Sequence, residues 1–177
     1  MNFHQQPNRH TNHVVNNLAQ ETNILEYHLP DYICYLFIDD ITNKFLPYIR
    51  QLENETDSID DLVLILKAND QSDMLSRISK ARKRVMKLQR LINTKPELIK
   101  LIAHRLKDST TSNIMLYFED VYDHAYTMKQ DIAQFEVSLS RSHSHYLAQI
   151  NIEITQASNR GNEISTNLTT LASVLVP

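Results

Sequence analysis

The chain has 177 residues with a single glycine, five prolines, one cysteine and a net charge of −3. Average usage would supply roughly a dozen glycines and nine prolines, and tight turns need glycine, so sandwiches and doubly wound sheets are disfavoured and long helices with few loops favoured. A pI near 6.2 disfavours a dedicated nucleic-acid binder, Cys34 alone excludes an internal disulfide and a cysteine zinc site, and a reducing compartment fits.

Residues 1–30 are polar and irregular, with Pro7, Pro30 and many Asn, Gln and His. A short helix is expected around Val14–Leu25. No charged-then-apolar signal pattern opens the chain.

Residues 31–67 read as one helix. Asp31, after Pro30, suits a cap. Ile38, Ile41, Phe45, Ile49, Leu52, Ile59, Val63 and Leu66 recur at steps of three or four, with Thr56 filling the gap. Pro47 should kink it.

Residues 70–106 form a second helix, capped by Asp70 or Ser72. Its apolar stripe runs Met74, Leu75, Ile78, Ala81, Val85, Leu88, Ile92, then Leu98, Leu101 and Ile102. Thr94-Lys95-Pro96-Glu97 has the form of a capping box with proline in the first turn, so the helix kinks or restarts there. The other faces are basic: Arg77, Lys80, Arg82, Lys83, Arg84, Lys87 and Arg90. Glu53, Glu55, Asp57, Asp60 and Asp61 are the expected partners in an antiparallel hairpin.

Residues 112–176 are uninterrupted by proline and read as one helix about 100 Å long. Phe118, Val121, Ala125, Met128, Ile132, Phe135, Leu139, Ser142 and Tyr146 form its stripe. A rod of that length needs a partner or an oligomer around it. Beyond Tyr146 charges thin out and Asn, Gln, Ser and Thr take over. The apolar end, Leu171 to Pro177, is like the first third of a membrane span, although no run of about 18 apolar residues is present. The fold class is therefore all-α: a long antiparallel helical hairpin (31–110) packed on a very long stalk helix (111–177). A frayed tail, or a helix packing seam, is the plainer account of the last segment.

Glu119-Asp120-Val121-Tyr122-Asp123-His124 resembles the segment that opens the stalk helix of CorA-type magnesium channels. Ser140 to Ile150, Glu153 to Asn159, and Tyr32-Ile33-Cys34-Tyr35 with Ile38-Asp39-Asp40-Ile41-Thr42 resemble the fungal branch; a weaker likeness reaches Phe3-His4. The resemblance implies a pentameric homo-oligomer that passes Mg²⁺ along its five-fold axis. Each subunit would have an N-terminal α/β domain, a helical hairpin, a stalk helix that becomes the first membrane helix, and a second membrane helix. The chain lacks the Gly-Met-Asn signature, the second membrane helix and most of the α/β domain, so it is expected not to conduct alone. Residues 1–30 would be a remnant of that domain.

By the same resemblance Mg²⁺ is both the transported and the regulatory ion. Asp120, with Asp123 beside it, would hold the regulatory ion against a carboxylate of a neighbour's α/β domain. Hard cations take carboxylate and water oxygens; the plainer role is helix-dipole stabilisation. Asn162, Ser165, Leu168, Thr169 and Val176 would face the pore, with Ala172 between them; Asn162 and Thr169 would meet hydrated ion, and Leu168 and Val176 would form an apolar constriction. The chain would lie on the cytosolic side of a plasma or vacuolar membrane, entering it at the C-terminal end, with the basic helix near anionic headgroups. No catalytic grouping or nucleic-acid partner is expected. His143 and His145 point about 200° apart on a helix and cannot chelate one ion. The alternative is a soluble coiled-coil interaction protein without transport activity.

Overall fold

The computed structural model describes residues 9–20, 29–65, 71–107 and 112–175, and among them there are only helices, short turns and no strands. In order they are α1 (Arg9–Gln20), α2 (Leu29–Asn43), α3 (Leu46–Ile65), α4 (Gln71–Ile92), α5 (Lys95–Leu106) and α6 (Ser112–Leu175). Helix α6 is the spine. Its 64 residues give a rod about 96 Å long, with no proline in it and Gly161 its sole glycine.

The expected stripe on α6 is the buried one. Phe118, Val121, Ala125, Met128, Ile132, Phe135, Leu139, Ser142 and Tyr146 are all buried, and Ile114 extends the line by a turn. The alternating steps of four and three keep one face turned inward. Two adjoining cores form along this face. Near the start of α6, Phe118 and Val121 pack with Tyr32, Leu36 and Ile99. Farther on, Met128 and Ile132 join Ile59 of α3 and Ile78 and Val85 of α4.

Pairing distances fix the directions. Tyr35 stacks on Tyr117 at 5.1 Å and Asp60 accepts hydrogen bonds from Ser138 and Ser142, so α2 and α3 run parallel to α6. Arg82 meets Glu136 at 2.7 Å and the Lys100 ammonium lies 6.0 Å from the Tyr122 ring, so α4 and α5 run antiparallel to it. The hairpin is thus two broken arms flanking one straight spine.

Both breaks fall at proline. The first arm turns at Lys44-Phe45, with Pro47 in the first turn of α3; the second turns at Asn93-Thr94, with Pro96 in the first turn of α5. A proline there loses no helical hydrogen bond, whereas in mid-helix its ring would clash with the preceding turn. The breaks lie level with one another, across an apolar cavity of about 120 Å³ bounded by Phe45, Ile92, Leu98 and Met128.

Several sequence expectations change at these breaks. Each break resets the helical phase, so Ile41, Leu98 and Leu101 are exposed, while Tyr32, Leu36 and Ile99 are buried instead. Thr94 occupies the cap position of α5, but its side chain makes no capping hydrogen bond and its backbone is already helical at φ −95°, ψ −6°. Asp31 sits inside the first turn of α2 rather than before it, and Ser72 lies inside α4, which starts at Gln71. The short helix expected around Val14–Leu25 is α1, which starts earlier, at Arg9, and whose Val14 is 2% exposed in the first core. Leu66, Asp70 and the part of the expected Val14–Leu25 helix beyond Gln20 lie outside the described residues.

Candidate metal site and ion-path face

Asp120 and Asp123 are both exposed, on the flank of α6 beside buried Val121. Near Asp120, on α2, is a carboxylate that sequence reasoning missed. Asp39 is half-buried, and its pKa is raised, first by burial and then by the charges of Asp120 and Asp40; a hydrogen bond from the Asn43 side chain and the nearby His124 imidazole oppose the rise. Asp39, Asp120 and His124 are therefore brought within electrostatic reach, while Asp123 exerts no resolved effect there. Asp40 is only 4% exposed and pairs with Lys44 at 3.4 Å one turn on. The Asp39-Asp40 pair on a helix expected to be half-buried was the signal available in the sequence.

Among the described residues no group of three or more His, Cys, Asp or Glu side chains is arranged to hold a metal ion. A divalent cation such as Mg²⁺ takes six oxygen ligands and tolerates water in most of them, and Asp120 and Asp39 do not by themselves make a metal site. His143 is half-buried and His145 exposed, on different sides of α6 as their spacing requires.

A stronger polar junction lies farther along α6. The Asp60 carboxylate accepts hydrogen bonds from the Ser138 and Ser142 hydroxyls, and the Arg141 guanidinium reaches it at 3.3 Å. This ties α3 to the spine. The basic face of α4 is paired less than expected: Arg84 meets Glu55 at 2.5 Å, Arg77 donates to the Ser58 hydroxyl at 3.0 Å, and Arg82 turns to Glu136 on α6 instead.

Past Ile150 every described α6 side chain is exposed, except half-buried Glu153. Asn162, Ser165, Leu168 and Thr169 all stand on this free part; Val176 lies outside the described residues. The hydroxyls of Thr155, Thr166, Thr169 and Thr170 donate to carbonyls four residues back at 2.8–2.9 Å. These four threonines thus satisfy their own donors within the helix, while Asn151, Gln156, Asn159, Asn162, Ser165 and Asn167 beside them stay exposed. The sequence reading also missed an apolar line: Leu147, Ile150, Ile154, Ala157, Gly161, Ile164, Leu168 and Leu171 recur at alternating steps of three and four. Leu168 is 61% exposed on it. Asn162, Ser165 and Thr169 run along its edge. The buried seam, extended past Tyr146, would instead continue through Gln149, Glu153 and Gln156, so the apolar face changes side where the chain's own core ends. Among the described residues no helix is long and apolar enough to cross a membrane.

The sequence matches the model of the CorA-like Mg²⁺ transporter protein family over residues 1–177. It is 42% identical over 151 residues to a Schizosaccharomyces pombe protein whose name describes a metal ion transporter, covering 83% of this chain and 19% of that one. It is 31% identical over 222 residues to the magnesium transporter ALR2 of Saccharomyces cerevisiae, covering 100% of this chain and 26% of the relative. With the magnesium transporter ALR1 of the same yeast it shares 32% identity over 192 residues, 83% of this chain and 22% of the relative. The chain therefore spans about a fifth to a quarter of the length of these relatives.

Proposed function

The chain belongs to the CorA-like Mg²⁺ transporter family, and on that premise we propose that it is the helical-hairpin and stalk region of a divalent-cation transporter whose cargo is Mg²⁺. In this reading copies of the chain assemble around a common axis through the free part of α6. Its far end leads into the membrane from the cytosolic side. Conduction then belongs to the full-length assembly, not to this region alone.

The observation that carries the reading is the exposed end of α6. A helix with residues 151–173 almost wholly bare, and an apolar heptad line along them, is unfavourable for an isolated domain. It suits a rod that finds its partners elsewhere. In the assembly Asn162, Ser165 and Thr169 face the ion path and offer neutral oxygen to a hydrated cation. Leu168 and Val176 narrow that path, and an apolar ring of this kind gates by dewetting.

Regulation is assigned to Asp120, supported by Asp123. Its own chain brings Asp39 and His124 within electrostatic reach of Asp120, and a carboxylate from a neighbouring copy completes the site. Bound Mg²⁺ offsets carboxylate repulsion and holds the assembly closed; loss of Mg²⁺ restores the repulsion and loosens it.

A graft tests the function. Residues 31–177 replace the matching segment of a yeast magnesium-transporter relative, and Mg²⁺ uptake is measured in cells lacking their own transporter. Uptake by the chimera, lost with Leu168→Asp, is expected. A chimera that reaches the membrane in normal amount yet carries no Mg²⁺ would refute the proposal.

A further inference from the structure

We propose that the helical hairpins of neighbouring copies join side to side, the acidic stripe Glu53–Asp57–Asp61 of one copy lying on the basic ridge Lys80–Lys83–Lys87–Arg90 of the next. The inference rests on the reading that the chain assembles with its own copies, and it names a contact outside the stalk.

The two surfaces are complementary in charge and length. Glu53, Asp57 and Asp61 recur every fourth residue on α3 and are all exposed. They form a line about 12 Å long at 1.5 Å per residue. Lys80, Lys83, Lys87 and Arg90 recur at steps of three, four and three on α4, are all exposed, and form a line about 15 Å long. None of these seven side chains has an ion-pair partner among the described residues, although the neighbouring Glu55, Asp60, Arg82 and Arg84 all do. Arg50, one turn before Glu53, is the cation nearest the acidic line in sequence. Each surface also carries an exposed apolar side chain: Leu64, 74% exposed, continues the acidic line and Met86, 43% exposed, flanks the basic one.

Their placement decides how they can meet. On α3, Glu55 and Ser58 face α4 and Asp60 faces α6, which leaves Glu53, Asp57 and Asp61 turned away from both. On α4, the buried face is Ile78, Ala81, Val85 and Leu88, and the basic ridge is the opposite, outward face. The stripe and the ridge thus lie on different sides of the hairpin and cannot satisfy each other within one chain. Matching patches on different sides of one molecule make a head-to-tail contact, which closes into a ring when the rotation permits.

A bilayer is the poorer occupant of the ridge. Arg82 is level with Glu136 of α6, and about 60 Å of helix separates Glu136 from Leu175. Anionic headgroups at the stalk's end lie far beyond the Debye length of about 8 Å at physiological salt. A single exposed ion pair contributes little, but several aligned along one face set partner and register.

Cross-linking the full chain with a zero-length carbodiimide, which joins lysine to carboxylate only in direct contact, tests the contact. At low ionic strength we expect amide links between copies from Lys83 and Lys87 to Asp57 and Asp61, falling about tenfold in 0.5 M salt. Lys83→Glu with Lys87→Glu, or Asp57→Lys with Asp61→Lys, should abolish association through this face. All four changes in one chain, or the two double variants mixed, should restore it. Wild-type protein that sediments as a monomer at every salt concentration would defeat the assembly reading itself. Either double variant associating as well as the wild type, or a fourfold variant that fails to regain the links, would overturn this contact alone.

Discussion

At the residue scale the informative side chain is Asp39. Its carboxyl titrates above the usual 3.8, burial being the largest cause and the Asp120 charge contributing. A carboxyl with a raised folded pKa binds its proton more tightly folded than unfolded. It therefore favours folding fully below about 3.8 and loses that contribution as pH rises through the folded value. At pH 7 its ionised form is a cost. Asp39→Asn should raise the melting temperature at pH 7 by a few degrees at most, because solvent screens a half-buried group. The gain should vanish near pH 3; equal shifts at both values would contradict the electrostatic account. Asp120 and Asp123 were legible from their motif, but Asp39 was not. Its burial depends on how α2 sits against α6, a long-range contact that no local spacing encodes.

Among the elements, the three central helices meet at Ile59, Ile78 and Ile132, each with no exposure. Ile78→Ala should cost about 2–5 kcal/mol of unfolding free energy, the cost of a core cavity, measured by urea denaturation. Gly161 behaves oppositely. It lies inside α6 with nothing within 4 Å of where a Cβ would stand and without positive φ. Gly161→Ala should stabilise the helix by about 0.5–1 kcal/mol, seen as increased helical circular dichroism and slower amide exchange across residues 155–167. The α6 stripe was legible because nothing interrupts its period from Phe118 to Tyr146, about eight turns. The stripes of the two hairpin arms were legible only up to their prolines. Pro47 and Pro96 announced the interruptions, but not the change of phase that exposes Ile41, Leu98 and Leu101 and buries Tyr32, Leu36 and Ile99.

Among the described residues the molecule is a long spine with two broken arms that cover it as far as Ile150 and leave the rest bare. That plan was readable from scarce glycine, an uninterrupted terminal helix and a basic helix after an acidic one. What composition could not supply was the partner of each charge: Arg82 reaches the spine, Asp60 is held by two serines, and among the described residues only Glu55 of the acidic set forms an ion pair across the hairpin as the charge pattern suggested. The free apolar line from Ile154 to Leu171 was likewise hidden by the abundance of polar residues around it. Everything proposed for ion conduction needs α6 to hold its length past the point where the arms stop covering it. Electron–electron distance spectroscopy measures this directly, with spin labels at Glu119 and Asn159, Cys34 replaced by serine, and labelled chains diluted in unlabelled ones. A single narrow distribution centred near 60 Å is expected from 1.5 Å per residue; a broad distribution, or one centred below about 40 Å, would mean that the helix bends or folds back and would contradict the account.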